Sequence, residues 1–107
     1  MSAISPVESE EHYAELTGAD KITVVLFSAP WCGQCKLITP KLNKLAKEAS
    51  DKVAYVKVDT TVLEDLAVDL GVSALPSVKI YSKGQVIGEY VGSKWEKIEE
   101  LVQAKTS

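Results

Sequence analysis

Val24-Val25-Leu26-Phe27-Ser28-Ala29-Pro30-Trp31-Cys32-Gly33-Gln34-Cys35-Lys36 holds both cysteines of a 107-residue chain, three positions apart, where an apolar run gives way to a helical pattern. Val24 to Phe27 is apolar and rich in β-branched residues, the composition of a strand covered on both faces. The helical pattern begins with the cysteines themselves. Residues i and i+3 share one helix face, so the two Cα atoms should lie about 5 Å apart, within reach of a disulfide. The first turn of a helix also leaves backbone N–H groups unpartnered, and these favour negative charge at the helix start. Cys32 is therefore expected to have a lowered pKa and to be nucleophilic at neutral pH. Cys35, one turn further in, is placed to attack a mixed disulfide formed on Cys32. The pair reads as a dithiol that cycles.

Outward from this stretch, the strand extends over Lys21 to Ser28 and the helix from Gly33 to about Ala49. Leu37, Ile38, Leu42, Leu45, Ala46 and Ala49 recur along it at helical spacing, and Pro40 interrupts it. Upstream, Ile4 to Val7 suits a short edge strand. Ser9 suits an N-cap for a helix that carries Glu10 and Glu11 in its first turn and ends near Gly18. Downstream, Lys52 to Asp59 reads as a second buried strand, and Val62 to Leu70 as a helix closing at Gly71. Ser77 to Tyr81 and Val86 to Val91 are strands joined by Ser82-Lys83-Gly84-Gln85, a hairpin signal. Lys94 to Lys105 is a last amphipathic helix with Trp95, Ile98, Leu101 and Val102 on one side. The order βαβαβαββα predicts an α/β fold: a central mixed sheet flanked by helices on both faces.

A length of 107 residues suits a single domain spanning 1–107. The chain is 46% hydrophobic and 25% charged, which is enough apolar material for one packed core. Its net charge of −3, with no basic stripe, argues against nucleic acid as a partner. No apolar run approaches the roughly 20 residues of a membrane span. The first residues, Met1-Ser2-Ala3-Ile4-Ser5-Pro6-Val7-Glu8, lack the positive and apolar regions of a secretory signal, so a cytoplasmic location is expected. Two cysteines in such a chain favour redox chemistry or metal over a structural staple.

Taken together, the chain resembles the thioredoxin family over essentially its whole length. The resemblance rests on Trp31-Cys32-Gly33-Gln34-Cys35-Lys36 after a buried strand, a proline five residues beyond the second cysteine (Pro40), and Leu75-Pro76 opening the hairpin. Gly84 in the hairpin turn and Gly92 after the last strand complete it. It implies a protein-disulfide reductase, a thiol-disulfide oxidoreductase in which Cys32 is the exposed attacking cysteine and Cys35 the resolving one. Trp31, Gly33, Gln34 and Pro76 would support the site, with Pro76 cis and facing the sulfurs. Trp31, Ala74, Leu75, Pro76, Val91 and Gly92 would form the rim on which substrate proteins dock. No bound cofactor and no metal are implied. The redox-active Cys32–Cys35 disulfide would be recharged by an NADPH-dependent thioredoxin reductase.

Two positions depart from the family pattern. Gln34 stands where proline is usual, which leaves the turn freer and predicts a less reducing potential. Leu26 stands where a buried aspartate usually assists proton transfer at the resolving cysteine, and leucine has no proton to move. Aligning the next strand on its Val58-Asp59 end puts Tyr55 where bacterial members carry a lysine that pairs with that aspartate, so both ends of that pair are expected to be missing. Lys57 and Asp59 share parity with Tyr55, and either of them, or water, is a substitute proton carrier.

Competing readings of the cysteines are a static staple and a zinc site. Zinc normally needs four N or S ligands, and the only histidine, His12, lies far away on the first helix. Two other functional readings stand beside the reductase: a specialised oxidase or isomerase, and a redox-switched binding module using the Trp31/Pro76 rim.

Overall fold

A computed structural model describes residues 3–49 and 51–106. Met1 and Ser2, part of the stretch inspected for a leader, lie outside them. Five strands, β1 (Ser5–Pro6), β2 (Ile22–Ser28), β3 (Val53–Asp59), β4 (Ser77–Ser82) and β5 (Gln85–Val91), form one sheet in the order β1-β3-β2-β4-β5. The helices are α1 (Glu10–Gly18), α2 (Gly33–Glu48), α3 (Glu64–Asp69) and α4 (Trp95–Thr106). The β1–β3 and β2–β3 pairs are parallel, whereas β2–β4 and β4–β5 are antiparallel. The expected mixed sheet and element order are therefore present.

β2 is the central strand, and every residue from Thr23 to Ser28 is buried. Side chains alternate between the two faces of a strand, so this one run feeds two cores. Val24 and Leu26 join Val78 and Ile80 against Ile38 and Leu42 of α2 and Ile98 and Val102 of α4. Val25 and Phe27 join Val56 and Val58 against Tyr13 of α1 and Leu66 of α3. Within this second core the Tyr13 hydroxyl donates to the Tyr81 hydroxyl at 2.6 Å, and the two rings meet edge to face. Burial and that bond both hold the Tyr13 phenol well above its ordinary pKa.

Local chemistry accounts for the ends of the elements. Ser9 caps α1 by accepting from the His12 N–H, while the His12 ring accepts at Nδ1 from the Glu8 N–H, so the histidine is tied into the cap. The β4–β5 hairpin turns on Lys83 and Gly84, both with positive φ, as a two-residue turn of matching twist requires. β1 is shorter than expected. Pro6 lacks an N–H and is tolerated because the strand is an edge.

Two expectations need correction. α3 begins at Glu64 instead of Val62. The Asp59 carboxylate accepts from the Thr61 N–H and hydroxyl, and its carbonyl accepts from the Val62 and Leu63 N–H groups, so residues 60–63 are spent on a turn. Leu37 is 65% exposed and lies outside the core. On α2 it shares a line with Lys41, Lys44 and Glu48, all exposed, and not with the buried Ile38 and Leu42.

Candidate active site

The sulfurs sit where β2 hands the chain to α2. Cys32 is the N-cap of α2 and has extended backbone. Its N–H donates to the Ala29 carbonyl at 3.0 Å, which closes the tight turn through Pro30 and Trp31. The Cys35 N–H then donates to Cys32 Sγ at 3.2 Å, so the sulfur occupies the place of a capping oxygen. Cys32 and Cys35 are joined as a disulfide with Cα atoms 5.3 Å apart, close to the separation expected from the three-residue spacing. The pair can exist as a disulfide, and its first sulfur receives the helix amide that would favour a thiolate once reduced.

Accessibility differs from expectation. Cys32 is 5% exposed and Cys35 2%, so the attacking cysteine is not open in the oxidised state. As an N-cap its sulfur turns inward, and Ala29 and Leu75 pack around the pair. Gly33 and Gln34, by contrast, are exposed. A Cβ added to Gly33 would meet nothing within 4 Å, so this glycine is not demanded by space.

Leu75 packs against the cysteines; its peptide bond to Pro76 is cis, and Pro76 is buried. The Pro76 carbonyl accepts from the Gly92 N–H at 3.0 Å, which draws the end of β5 to the site. Gly92 has a φ of 143°, and a Cβ there would lie 2.9 Å from the Tyr90 hydroxyl oxygen. Here glycine is required. Trp31 is 72% exposed and Val91 is 57% exposed. The rim is split into two open clefts. One, of about 400 Å³, contains Trp31, Leu75 and Val68 beside Glu64 and Asp65. The other, of about 420 Å³, contains Ala74 and Val91 beside Lys79 and Glu89. Val72 and Ser73 border both.

A third space, of about 210 Å³, lies on the other side of Cys35 and is lined by Ser28, Ala29, Pro30, Lys36, Thr39, Lys57 and Asp59. Leu26 is fully buried, and its strand partner is Lys57, which lines this space; Tyr55 pairs with Val24. The expectation that Tyr55 occupies the lysine position is therefore wrong. Alignment on the strand's end shifted it by two residues, and two residues preserve parity, so nothing in the alternation pattern could expose the slip. The Asp59 carboxyl is held below the usual carboxylate range, first by its bonds to Thr61 and further by the backbone N–H groups and the Lys57 charge. The cavity lining of Lys36, Thr39 and Ser28 had no sequence signal beyond proximity to the cysteines. Among the described residues, no group of three or more His, Cys, Asp or Glu gathers as metal ligands would, and no helix is long and apolar enough to cross a membrane.

With this geometry in place, comparison with known proteins is consistent. The thioredoxin family model matches residues 3–104. A thioredoxin of Rattus norvegicus is 40% identical over 98 residues, covering 90% of this chain and 92% of that protein. Thioredoxin-1 of Schizosaccharomyces pombe is 36% identical over 101 residues, covering 94% and 97%. Among solved structures, the thioredoxin of Malassezia sympodialis superposes with a TM-score of 0.92 at 30% identity, covering all of this chain and 94% of its own. Thioredoxin f from spinach chloroplast superposes with a TM-score of 0.85 at 33% identity, covering 97% and 94%. The match runs over the whole strand-to-helix unit that carries the cysteine pair, and the chain belongs to the thioredoxin family of protein-disulfide reductases.

Proposed function

We propose that this single-domain chain reduces disulfides of cytoplasmic proteins through Cys32 and Cys35. The observation that carries the reading is Cys32 Sγ at the N-cap of α2, receiving the Cys35 N–H at 3.2 Å. In the reduced protein the Cys32 thiolate attacks a substrate disulfide, forming a mixed disulfide and expelling one substrate thiolate. Cys35 then attacks Cys32 Sγ, forming the Cys32–Cys35 bond and releasing the second substrate thiolate. Trp31 and Leu75 border one cleft and Ala74 and Val91 the other, which supports their role as the substrate rim; Pro76 and Gly92 are tied together between them. Gly33 and Gln34 support the site by supplying the first helical amides after Cys32. Two electrons are stored in the sulfurs themselves, with no bound cofactor, and the donor that recharges them is an NADPH-dependent thioredoxin reductase.

Insulin reduction with a small dithiol as donor tests this reading. Turnover is expected in the wild type and is expected to vanish in Cys32→Ser. Persistent turnover in that variant would refute the assignment. Absence of turnover in the wild type, with partner binding undiminished in the Cys32→Ser/Cys35→Ser protein, would instead establish a binding module.

A further inference from the structure

The ladder of α2 is broken immediately after the turn that carries the cysteines. Pro40 lies inside the helix and has no N–H, so the Lys36 carbonyl lacks its regular donor four residues on. At that break the Thr39 hydroxyl donates to the Cys35 carbonyl at 2.7 Å. Thr39 is half-buried and lines the same cavity of about 210 Å³ as Cys35. On its other side, the Cys35 N–H is given to Cys32 Sγ at 3.2 Å. The resolving cysteine is thus held at both its peptide groups, one tied back to Cys32 and the other tied forward across the break. The same hydroxyl-to-carbonyl bond recurs far from the sulfurs, from Thr106 to Val102 at 2.7 Å, where Thr106 shares a surface with Glu48 at the opposite end of α2.

We propose that Thr39 is a positioning residue for resolution: its hydroxyl pins the Cys35 carbonyl across the proline break and so holds the Cys35 sulfur in line for Cys32 Sγ. This rests on the disulfide-exchange reading above. A helix interrupted by proline bends at the interruption, and a first turn free to bend spreads the two sulfurs over many separations. The Thr39 bond is present in the closed pair, the arrangement that the attack must reach. An interaction that favours the attacking geometry over the splayed one speeds the step. In that step the Cys35 proton passes to solvent and the thiolate electron pair forms the bond to Cys32 Sγ. The mixed disulfide breaks, and the substrate sulfur leaves as a thiolate that takes up a proton from solvent. Thr39 keeps its own proton throughout.

The test separates the two chemical steps. In the reduced protein, an aromatic disulfide reagent releases one coloured thiolate when Cys32 attacks it and a second when Cys35 resolves the mixed disulfide. Thr39→Val is expected to leave the first phase in place and to slow the second about fivefold, the rate equivalent of one neutral hydrogen bond. Thr39→Ser, which keeps the hydroxyl, is expected to restore the second phase. Thr39→Ala, which adds no methyl to the cavity, is expected to match Thr39→Val and takes its place if thermal unfolding shows the valine protein to be misfolded. Thr106→Val, which deletes the same kind of bond in α4, is expected to leave both phases unchanged. The deficit is expected to persist at alkaline pH, because position and not ionisation is lost. A second phase untouched by loss of the Thr39 hydroxyl, equally slow in Thr39→Ser, equally slowed by Thr106→Val, or fully recovered at alkaline pH would overturn the proposal. If the first phase were absent in the wild type, the exchange reading itself would fail, a distinguishable result.

Discussion

The disulfide separates two regions built on opposite principles. On one side, Trp31, Ala74 and Val91 stand exposed around open clefts, touching little of the core. On the other, Leu26 is fully buried and Cys35 is 2% exposed, with a small cavity bordered by two lysines and one aspartate. Apolar surface left in water costs free energy that a docked partner can recover, so the first region suits recognition. A sulfur withdrawn from water feels nearby charges more strongly, so the second suits control of a proton. Their difference is that changes on the open side should alter what is bound, and changes on the closed side should alter stability and ionisation.

Leu26→Asp is the severest test of that division. It removes core contacts with Val24, Val78 and the α2 residues and inserts a carboxyl beside Lys57. A loss of about 3 kcal/mol is expected from the urea midpoint, with the Cys35 midpoint rising because a second negative charge is added. An unchanged urea midpoint would show that the closed side is less tightly packed than its burial indicates. Gly92→Ala should cost about 2 kcal/mol, because its φ of 143° disfavours any Cβ and Tyr90 blocks the space. It sharpens the comparison by showing that the rim, although open, is hung on a rigid joint.

Gln34→Pro acts at the boundary. Gln34 is the second residue of α2 and keeps an N–H that proline would delete. The wild type should therefore favour its reduced form more, with a midpoint potential roughly 30 mV less negative than that of the variant, the equivalent of about one charge-assisted hydrogen bond. Equal potentials would remove Gln34 from the electronics of the site. Trp31→Ala should leave stability within about 0.5 kcal/mol, since the ring is 72% exposed, while raising KM for protein substrates. Stability lost without a change in KM would reverse the assignment of that face.

The smallest effect concerns pH. The Tyr13 phenol is raised above its ordinary value by burial, then by its bond to Tyr81. Above about pH 10 the unfolded chain releases this proton and the folded chain retains it. Stability is therefore fully present below that pH and falls as pH rises. Tyr13→Phe should flatten the alkaline limb of a stability–pH curve; an unaltered limb would place its origin elsewhere.

Much of this was legible in the residues. The strand-to-helix position of Trp31 to Lys36 and the alternation in Val24 to Phe27 are local patterns, and local backbone chemistry realised them: the cysteines start α2, and β2 feeds both cores. Leu37 shows the limit of counting apolar residues, because a helix angle and not a residue type decides which side of α2 meets the sheet. α3 started late because a side chain two residues before a turn, Asp59, competed for the backbone.

The chain's own order of residues settled which atoms could carry electrons, because only two sulfurs of cysteine exist and they fall one helical turn apart. Tertiary structure alone settled what surrounds them. The pairing of Leu26 with Lys57 depends on strand register, and register is a choice among hydrogen-bonded alignments that differ by two residues while presenting the same alternation. The closure of Cys32 under Leu75, and the tie between Pro76 and Gly92, join segments more than forty and about sixteen residues apart. No local preference encodes such meetings; the packing of two cores around one sheet does.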